Sequence, residues 1–218
     1  MRGLNLPNLI TLGRIGLALV VGPLLLVEGF GPRLAAFVVF LVAALSDLWD
    51  GHLARTRKLI TDLGKLLDPL ADKLLLAATF VPLYLLSHGA EPRYGFPWPG
   101  GRFPLWIVLV IFGREAFITA FRSWSARRGL VIAAGQSGKY KAVCQNIFIG
   151  AAILWYAFHD LAIDKGWSGG FWAGWEKFHY GFTVVVLAAA VLLTVYSLAV
   201  YMVEYRALGP AGRRGAPS

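Results

Sequence analysis

Six long apolar segments follow one another along this chain, and each is long enough to cross the hydrocarbon core of a membrane. They cover approximately residues 8–30, 34–55, 64–88, 104–127, 140–160 and 180–204. A spanning helix needs about 20 apolar residues, and backbone groups inside a bilayer must be hydrogen-bonded within the protein. The sequence therefore predicts an all-α polytopic membrane protein with six transmembrane helices and an N-terminal juxtamembrane segment.

Composition excludes the main soluble alternatives. Hydrophobic residues make up 57% of the chain and charged residues only 15%, whereas soluble domains are about one-quarter charged. The net charge of +9 would favour nucleic acid in a soluble protein, but in so apolar a chain it favours an anionic membrane surface. The single cysteine, Cys144, excludes a disulfide framework and a cysteine-based zinc site.

The basic residues predict an orientation. Three connecting segments, 28–33, 89–103 and 161–179, hold five of the 21 Lys and Arg residues, and the other sixteen lie towards the opposite side. The positive-inside rule therefore predicts that both termini are cytosolic. Arg14 interrupts the first apolar segment, so we expect a retained helix and not a cleaved signal peptide. We expect one domain over 1–208 and a disordered tail over 209–218.

Tryptophan residues support the same orientation. Six of them lie at the predicted external ends of the spans, where interfacial aromatic residues collect. They are Trp98, Trp106, Trp155, Trp167, Trp172 and Trp175. The segment 89–103 is also rich in Pro and Gly, which predicts an irregular external loop.

Two groups of small and acidic residues occupy the cytosolic ends of the second and third spans. They are Asp47, Asp50, Gly51 and Ala54 in the first group, and Gly64, Asp68 and Asp72 in the second. Spacings of three and four place the members of each group on one helix face. Because residues 56–63 are few enough for a tight return, the two faces can oppose each other, and the four carboxylates are then expected to converge.

Four carboxylates at a membrane surface need compensating cations, because like charges in a low dielectric otherwise neutralise by taking up protons. Oxygen ligands suit Mg²⁺ or Mn²⁺ better than zinc or copper. Two such ions about 3.5–4 Å apart can assist in-line displacement at phosphorus. The glycines and Ala54 leave room for a ligand, and Arg55 can hold a phosphate. The residues alone therefore predict a site for metal and phosphate chemistry.

The complete pattern resembles the signature of the CDP-alcohol phosphotransferase family. It reads Asp47-x2-Asp50-Gly51-x2-Ala54-Arg55-x8-Gly64-x3-Asp68-x3-Asp72. The resemblance implies a six-helix membrane core, two divalent ions (Mg²⁺ or Mn²⁺) bound by the four aspartates, and Asp72 as the base. It also implies a nucleotide donor between the motif helices, a homodimer, and a multi-pass protein of the bacterial cytoplasmic membrane. The residues expected to bind the donor are Asp50, Gly51, Ala54, Arg55, Gly64, Asn8 and Thr11.

A second basic cluster indicates the acceptor. It consists of Arg114, Arg122, Lys139 and Lys141, and such cations near a metal site suit an acceptor that itself carries a phosphate. The alternative is that the two lysines anchor the chain at the membrane interface. Glu115, next to Arg114, is expected to point away from it and to be a structural support that faces Arg122 one turn-pair later.

Flanking motifs within residues 5–160 resemble one branch of the family. They are Pro7-Asn8-x2-Thr11-x2-Arg14, Asp68-Pro69-x-Ala71-Asp72-Lys73, Arg114-Glu115 with Arg122, and Gly138-Lys139-x-Lys141 with Gln145. This resemblance implies transfer of a phosphatidyl group from CDP-diacylglycerol to sn-glycerol 3-phosphate. Open alternatives are a phosphatidylinositol phosphate or cardiolipin-type branch and, from another class, a divalent-cation transporter. One local conflict remains: Pro69 disfavours helix at Asp68, so the third helix either begins there or is kinked.

Overall fold

Every regular element of the described residues is an α-helix, as the sequence predicts. The computed structural model describes residues 6–56, 62–89, 94–127 and 136–208, without the side chains at 7, 48–56, 62, 63, 65, 66, 126, 136, 137 and 204–208. The predicted tail at 209–218 lies outside this part. The helices are α1 (Leu6–Leu26), α2 (Phe30–Thr56), α3 (Asp62–His88), α4 (Leu105–Arg127), α5 (Gln136–Lys165) and α6 (Gly170–Leu208).

Five of these helices are long and apolar enough to span a membrane. The apolar stretches are Asn8–Leu26, Phe30–Asp47, Leu67–His88, Gly138–Lys165 and Gly170–Val203. Helix α4 has the length but also carries Arg114, Glu115 and Arg122, so the sixth span stays a prediction. The multi-pass membrane class is confirmed.

The helices extend further than the apolar pattern predicts. The segment 161–179, expected to be an external loop, is helical apart from a short turn, since α5 continues to Lys165 and α6 begins at Gly170. Gly166, with φ +64°, ends α5. Its N–H donates to the Ile163 carbonyl (3.2 Å), and the Trp167 N–H donates to the Ala162 carbonyl (2.8 Å). This Schellman pattern satisfies the last carbonyls of α5, so the helix can leave the apolar region and stop sharply.

The conflict at Pro69 is resolved within α3. This helix begins at Asp62 and contains both Pro69 and Pro82, so the proline lies in its second turn and does not mark its start. Pro69 is the eighth residue of α3, beyond the four N–H groups that have no intrahelical partner, so it removes one backbone hydrogen bond from the helix. Membrane helices tolerate such prolines where neighbouring groups compensate for the lost bond.

Two compact units divide the chain: residues 1–103 with 149–183, and residues 104–148 with 184–218. In the first unit, α1 packs against both α2 and α3. Gly22 lies close to the backbone of α3, because a Cβ added there would lie 3.1 Å from the Ala78 carbonyl oxygen. Small residues allow such close backbone contact between membrane helices. This contact holds α1 against α3, the helix that carries Asp68 and Asp72 in its first half.

A buried ion pair ties the ends of α1, α2 and α5 to the loop at 94–104. Arg33 was expected in an external loop but lies buried in the first turn of α2, where its Nη1 donates to Asp160 Oδ2 at 2.6 Å. The Gly29 N–H donates to the same oxygen at 2.7 Å, and the Tyr94 hydroxyl donates to Asp160 Oδ1 at 2.8 Å. Burial raises the pKa of Tyr94, which keeps this hydroxyl neutral. The carboxylate is thereby satisfied, as a buried pair requires.

Part of the predicted aromatic belt is a packed cluster in the first unit, whereas Trp106 is an exposed residue of the second unit. Trp172 stacks on Trp175 with centroids 4.7 Å apart, and Trp155 lies 6.2 Å from Trp175. The Trp155 Nε1–H donates to the Gly95 carbonyl at 2.9 Å. The loop at 94–104, although irregular as predicted, is therefore anchored to α5.

Candidate active site

Three of the four motif aspartates surround one guanidinium, that of Arg14. Arg14 Nη1 pairs with Asp47 Oδ1 and lies 3.5 Å from Asp72 Oδ1, and Arg14 Nη2 lies 4.0 Å from Asp68 Oδ1. The side chains of Asp47, Asp68 and Asp72 are 48%, 51% and 60% exposed, whereas that of Arg14 is 0% exposed. The site is therefore layered, with a buried cation beneath half-exposed carboxylates.

Each aspartate reaches this point because of its helix position. Asp47 lies in the second half of α2, and Asp68 and Asp72 lie one turn apart in the first half of α3. Gly64 precedes Asp68 by four residues on the same face of α3. The structure thus brings Asp47, Asp68 and Asp72 together, as their spacing predicts.

The floor of the site is one face of α1. Asn8, Thr11 and Arg14 follow at intervals of three and are all buried. Thr11 Oγ1 donates to Asp68 Oδ1 at 2.8 Å. The sequence assigns Asn8 and Thr11 to the nucleotide donor, whereas Arg14 enters only as the last residue of the same flanking motif. The signal that could have found Arg14 is the spacing itself, which places these three polar residues on one face of an apolar helix.

The remaining predicted donor-binding residues lie further along α2. Helix α2 continues to Thr56 and includes Asp50, Gly51, Ala54 and Arg55, but the side chains at 48–56 lie outside the described residues. Their predicted roles in holding the metal and the nucleotide therefore stay predictions.

The described carboxylates fit a hard divalent cation in chemistry and charge. When ionised, three carboxylates against one guanidinium leave an excess of negative charge, and their exposed faces are accessible to an ion. Oxygen donors of this kind are those that Mg²⁺ and Mn²⁺ prefer. Among the side chains that the structure describes, no three His, Cys, Asp or Glu residues are arranged closely enough to hold a metal ion. The fourth motif aspartate, Asp50, is not among the described side chains.

Two of the predicted acceptor-binding cations share a carboxylate within the second unit. Lys141 Nζ and Arg114 Nη1 both contact Glu115 Oε1, the latter at 3.1 Å. Arg114 Nη2 also donates to Ser197 Oγ at 3.1 Å. The expectation that Glu115 points away from Arg114 is wrong, and Lys141 on α5 reaches the same carboxylate from outside α4. Such a contact between helices cannot be read from spacing within α4.

The other two predicted acceptor-binding cations are exposed. Lys139 lies in the first turn of α5. The Arg122 guanidinium lies 5.7 Å from the centroid of the Tyr201 ring, in a cation–π contact between α4 and α6. Arg114 and Lys141 are therefore held in place by an anionic partner, while Arg122 is held by an aromatic ring.

Comparison with known proteins gives a consistent family. A model of the CDP-alcohol phosphatidyltransferase family matches residues 4–196. The CDP-diacylglycerol–glycerol-3-phosphate 3-phosphatidyltransferase of Bacillus subtilis (strain 168) is 33% identical over 80% of this chain and 93% of its own length. The CDP-diacylglycerol–glycerol-3-phosphate 3-phosphatidyltransferase 2 of Arabidopsis thaliana is 28% identical over 91% of this chain and 78% of its own length.

A relative named for another reaction also matches. The CMP-forming cardiolipin synthase of Oryza sativa subsp. japonica is 34% identical, over 65% of this chain and 43% of its own length. The family match includes the floor on α1 and the whole aspartate motif of α2 and α3. With most of its length matched, the chain belongs to the CDP-alcohol phosphatidyltransferase family.

Proposed function

We propose that this protein transfers the phosphatidyl group of CDP-diacylglycerol to sn-glycerol 3-phosphate, which gives phosphatidylglycerol phosphate and CMP. The observation that carries the proposal is the convergence of Asp47, Asp68 and Asp72 from two helices on one buried arginine. This is the arrangement that an anionic, cation-dependent phosphotransfer site needs. Membership of a transferase family replaces the transporter alternative.

Two lines of support favour glycerol 3-phosphate as the acceptor. The Bacillus and Arabidopsis relatives, whose names contain this acceptor, match over 93% and 78% of their own length, whereas the rice cardiolipin synthase matches over 43%. The cations Arg114 and Lys141 are held together on Glu115 and suit the acceptor's phosphate. Arg122 and Lys139 are proposed to assist them.

The proposed metal site consists of Asp47, Asp50, Asp68 and Asp72. Members of the family generally depend on a divalent metal ion, and we assign two ions, Mg²⁺ or Mn²⁺, to these carboxylates. When bound, such ions neutralise the charge that develops on the diphosphate oxygens of the donor.

Asp72 is proposed to be the base that activates the acceptor. Asp72 takes the proton of the attacking glycerol hydroxyl, whose oxygen forms a bond to the phosphorus that carries diacylglycerol. The bond between that phosphorus and the bridging oxygen of the diphosphate breaks, and CMP leaves with the electron pair. Asp72 has the most exposed side chain of the three described aspartates, at 60%, which suits a base that must meet a soluble acceptor.

The donor is proposed to lie along the motif helices. Gly51, Ala54 and Gly64 leave space for the nucleotide, and Arg55 holds a phosphate, with Asp50 and the α1 residues Asn8 and Thr11 completing the donor site. For Thr11 the described contact is with Asp68, so its contribution includes orienting this carboxylate.

The proposed cellular setting combines the resemblance to the family with the orientation that the basic residues predict. We place the protein in a bacterial cytoplasmic membrane, with both termini and the aspartates on the cytosolic side, where the soluble acceptor is available. A homodimer is proposed from the resemblance to the family.

An acceptor panel tests the reaction and the base together. Purified protein with CDP-diacylglycerol and Mg²⁺ should release CMP with glycerol 3-phosphate, and not with myo-inositol 1-phosphate or phosphatidylglycerol.

Asp72→Asn should lower turnover by at least about 10²-fold, since general bases contribute about 10²–10⁴-fold. Asp164→Asn, at an exposed position near the end of α5, is the matched control and should retain activity. CMP release with another acceptor would reassign the branch, and near-normal turnover of Asp72→Asn would remove its role as base.

A further inference from the structure

Arg14 is a buried cation whose described ion pairs are all with the motif aspartates. Its side chain is 0% exposed, in the middle of α1. Guanidinium groups do not deprotonate in proteins, so a buried arginine must be compensated by anions or pay a large desolvation cost. The compensation at this position comes from Asp47, Asp68 and Asp72.

The three aspartates also depend on Arg14. Three carboxylates within 4.0 Å of one guanidinium repel one another when ionised and are drawn together only by a shared cation. Arg14 supplies this cation from the buried side, through a rigid helix that crosses α3 at Gly22. The exposed side of the same carboxylates stays accessible to ions.

We propose that Arg14 is a built-in counter-cation that holds the aspartate cluster assembled when no metal ion is bound. It is a positioning residue and needs no contact with the substrates. The inference rests on the proposed function, because it assumes that the cluster also receives divalent ions. Since Arg14 and the ions then stabilise the same carboxylates from opposite sides, each contributes less when the other is present.

Thermal unfolding of the full-length protein in detergent tests this opposition. In EDTA, Arg14→Met should unfold at a temperature lower by on the order of 5 °C or more, as expected when a buried ion-pair partner is lost. Mg²⁺ at matched ionic strength should recover a large part of this loss, so the Mg²⁺-induced rise in Tm should be larger in Arg14→Met than in the wild type. Arg14→Lys, which keeps the charge, should respond as the wild type does.

A purely structural role predicts a different result, because the loss in Tm would then be equal with and without Mg²⁺. That outcome, or a smaller Mg²⁺ response in Arg14→Met than in the wild type, would overturn the proposal. Arg102→Met, at an exposed position in the loop at 94–104, is the matched control and should leave the Mg²⁺ response unchanged.

A second variant separates this inference from the proposed metal site. Adding Asp47→Asn to Arg14→Met removes one repelling carboxylate, so in EDTA the double variant should be more stable than Arg14→Met alone. This comparison needs no metal ion. If neither Mg²⁺ nor Mn²⁺ changes the Tm of the wild type, the proposed metal site is wrong, but the counter-cation role of Arg14 can still be confirmed by the double variant. If Arg14→Met cannot be folded and neither Mg²⁺ nor Asp47→Asn restores it, the counter-cation role is wrong.

Discussion

Glu115 shows how one carboxylate can hold two cations in place. The side chains of its partners, Arg114 and Lys141, are 13% and 7% exposed, so both would be left without this counter-charge if the carboxylate were neutralised. We expect Glu115→Gln to lower the free energy of unfolding by about 3 kcal/mol, in the range for breaking a buried pair. Denaturant titration in detergent measures this loss.

The matched variants for this prediction are available in the same chain. Asp164→Asn, at an exposed position, should change the free energy of unfolding little, as isolated surface charges do. Combining Glu115→Gln with Lys141→Met should restore part of the stability, because the second change removes one of the two uncompensated cations. If the double variant is less stable than the sum of its single changes predicts, Glu115 does not act as a shared counter-charge.

At the scale of single residues, the sequence predicts which residues share a helix face better than it predicts which residues on other helices they contact. The convergence of Asp47, Asp68 and Asp72 follows from spacings of three and four, because a helix fixes which residues share a face. The partners of Arg14, Arg33 and Glu115 depend on which helix packs against which, and spacing within one helix does not contain this information.

At the scale of elements, the apolar pattern predicts the number of helices but not their ends. Within the described part of the chain, six helices lie where six apolar segments are predicted. However, α5 and α6 continue through the polar residues at 161–179, because a helix satisfies its own backbone in water as well as in lipid. The stop between them depends on the left-handed conformation of Gly166, which hydropathy does not report.

Packing between elements gives a prediction at Gly22. A Cβ at this position would lie 3.1 Å from the Ala78 carbonyl oxygen and 3.5 Å from Pro82 Cγ, so the branched side chain of Gly22→Val must push α1 away from α3. We expect a destabilisation of about 1–3 kcal/mol, typical of overpacking. CMP release should also fall, because the same crossing holds Arg14 against Asp68 and Asp72.

Gly16→Val is the control for this helix crossing. Gly16 lies on an exposed part of α1, and a Cβ there would meet nothing within 4 Å. Both thermal stability and CMP release should therefore stay near the wild-type values. Equal losses in the two variants would mean that the helix conformation of α1, and not its contact with α3, was disturbed.

At the scale of the whole molecule, α2 carries a structural ion pair near its start and a motif aspartate near its other end. Arg33 and its buried ion pair lie near the first turn of α2, and Asp47 lies fourteen residues later, a distance of about 20 Å along a helix. The tryptophan cluster belongs to the Arg33 end, because Tyr94 contacts both Arg33 and the His159 ring that packs on Trp155. The aspartates and the aromatic cluster therefore lie at opposite ends of the apolar stretch Phe30–Asp47, which is long enough to span a membrane.

Cysteine labelling tests which surface faces the cytosol. In a Cys144→Ala background, Ser168→Cys lies in the exposed turn between α5 and α6, and Ser218→Cys lies at the last residue of the sequence. With a membrane-impermeant maleimide on intact bacterial cells, we expect labelling of Ser168→Cys and, before permeabilisation, no labelling of Ser218→Cys. The background without cysteine is the blank. Labelling of Ser218→Cys and not of Ser168→Cys would contradict the orientation predicted from the basic residues. The aspartates would then face away from the soluble acceptor, so the proposed reaction requires labelling of Ser168→Cys.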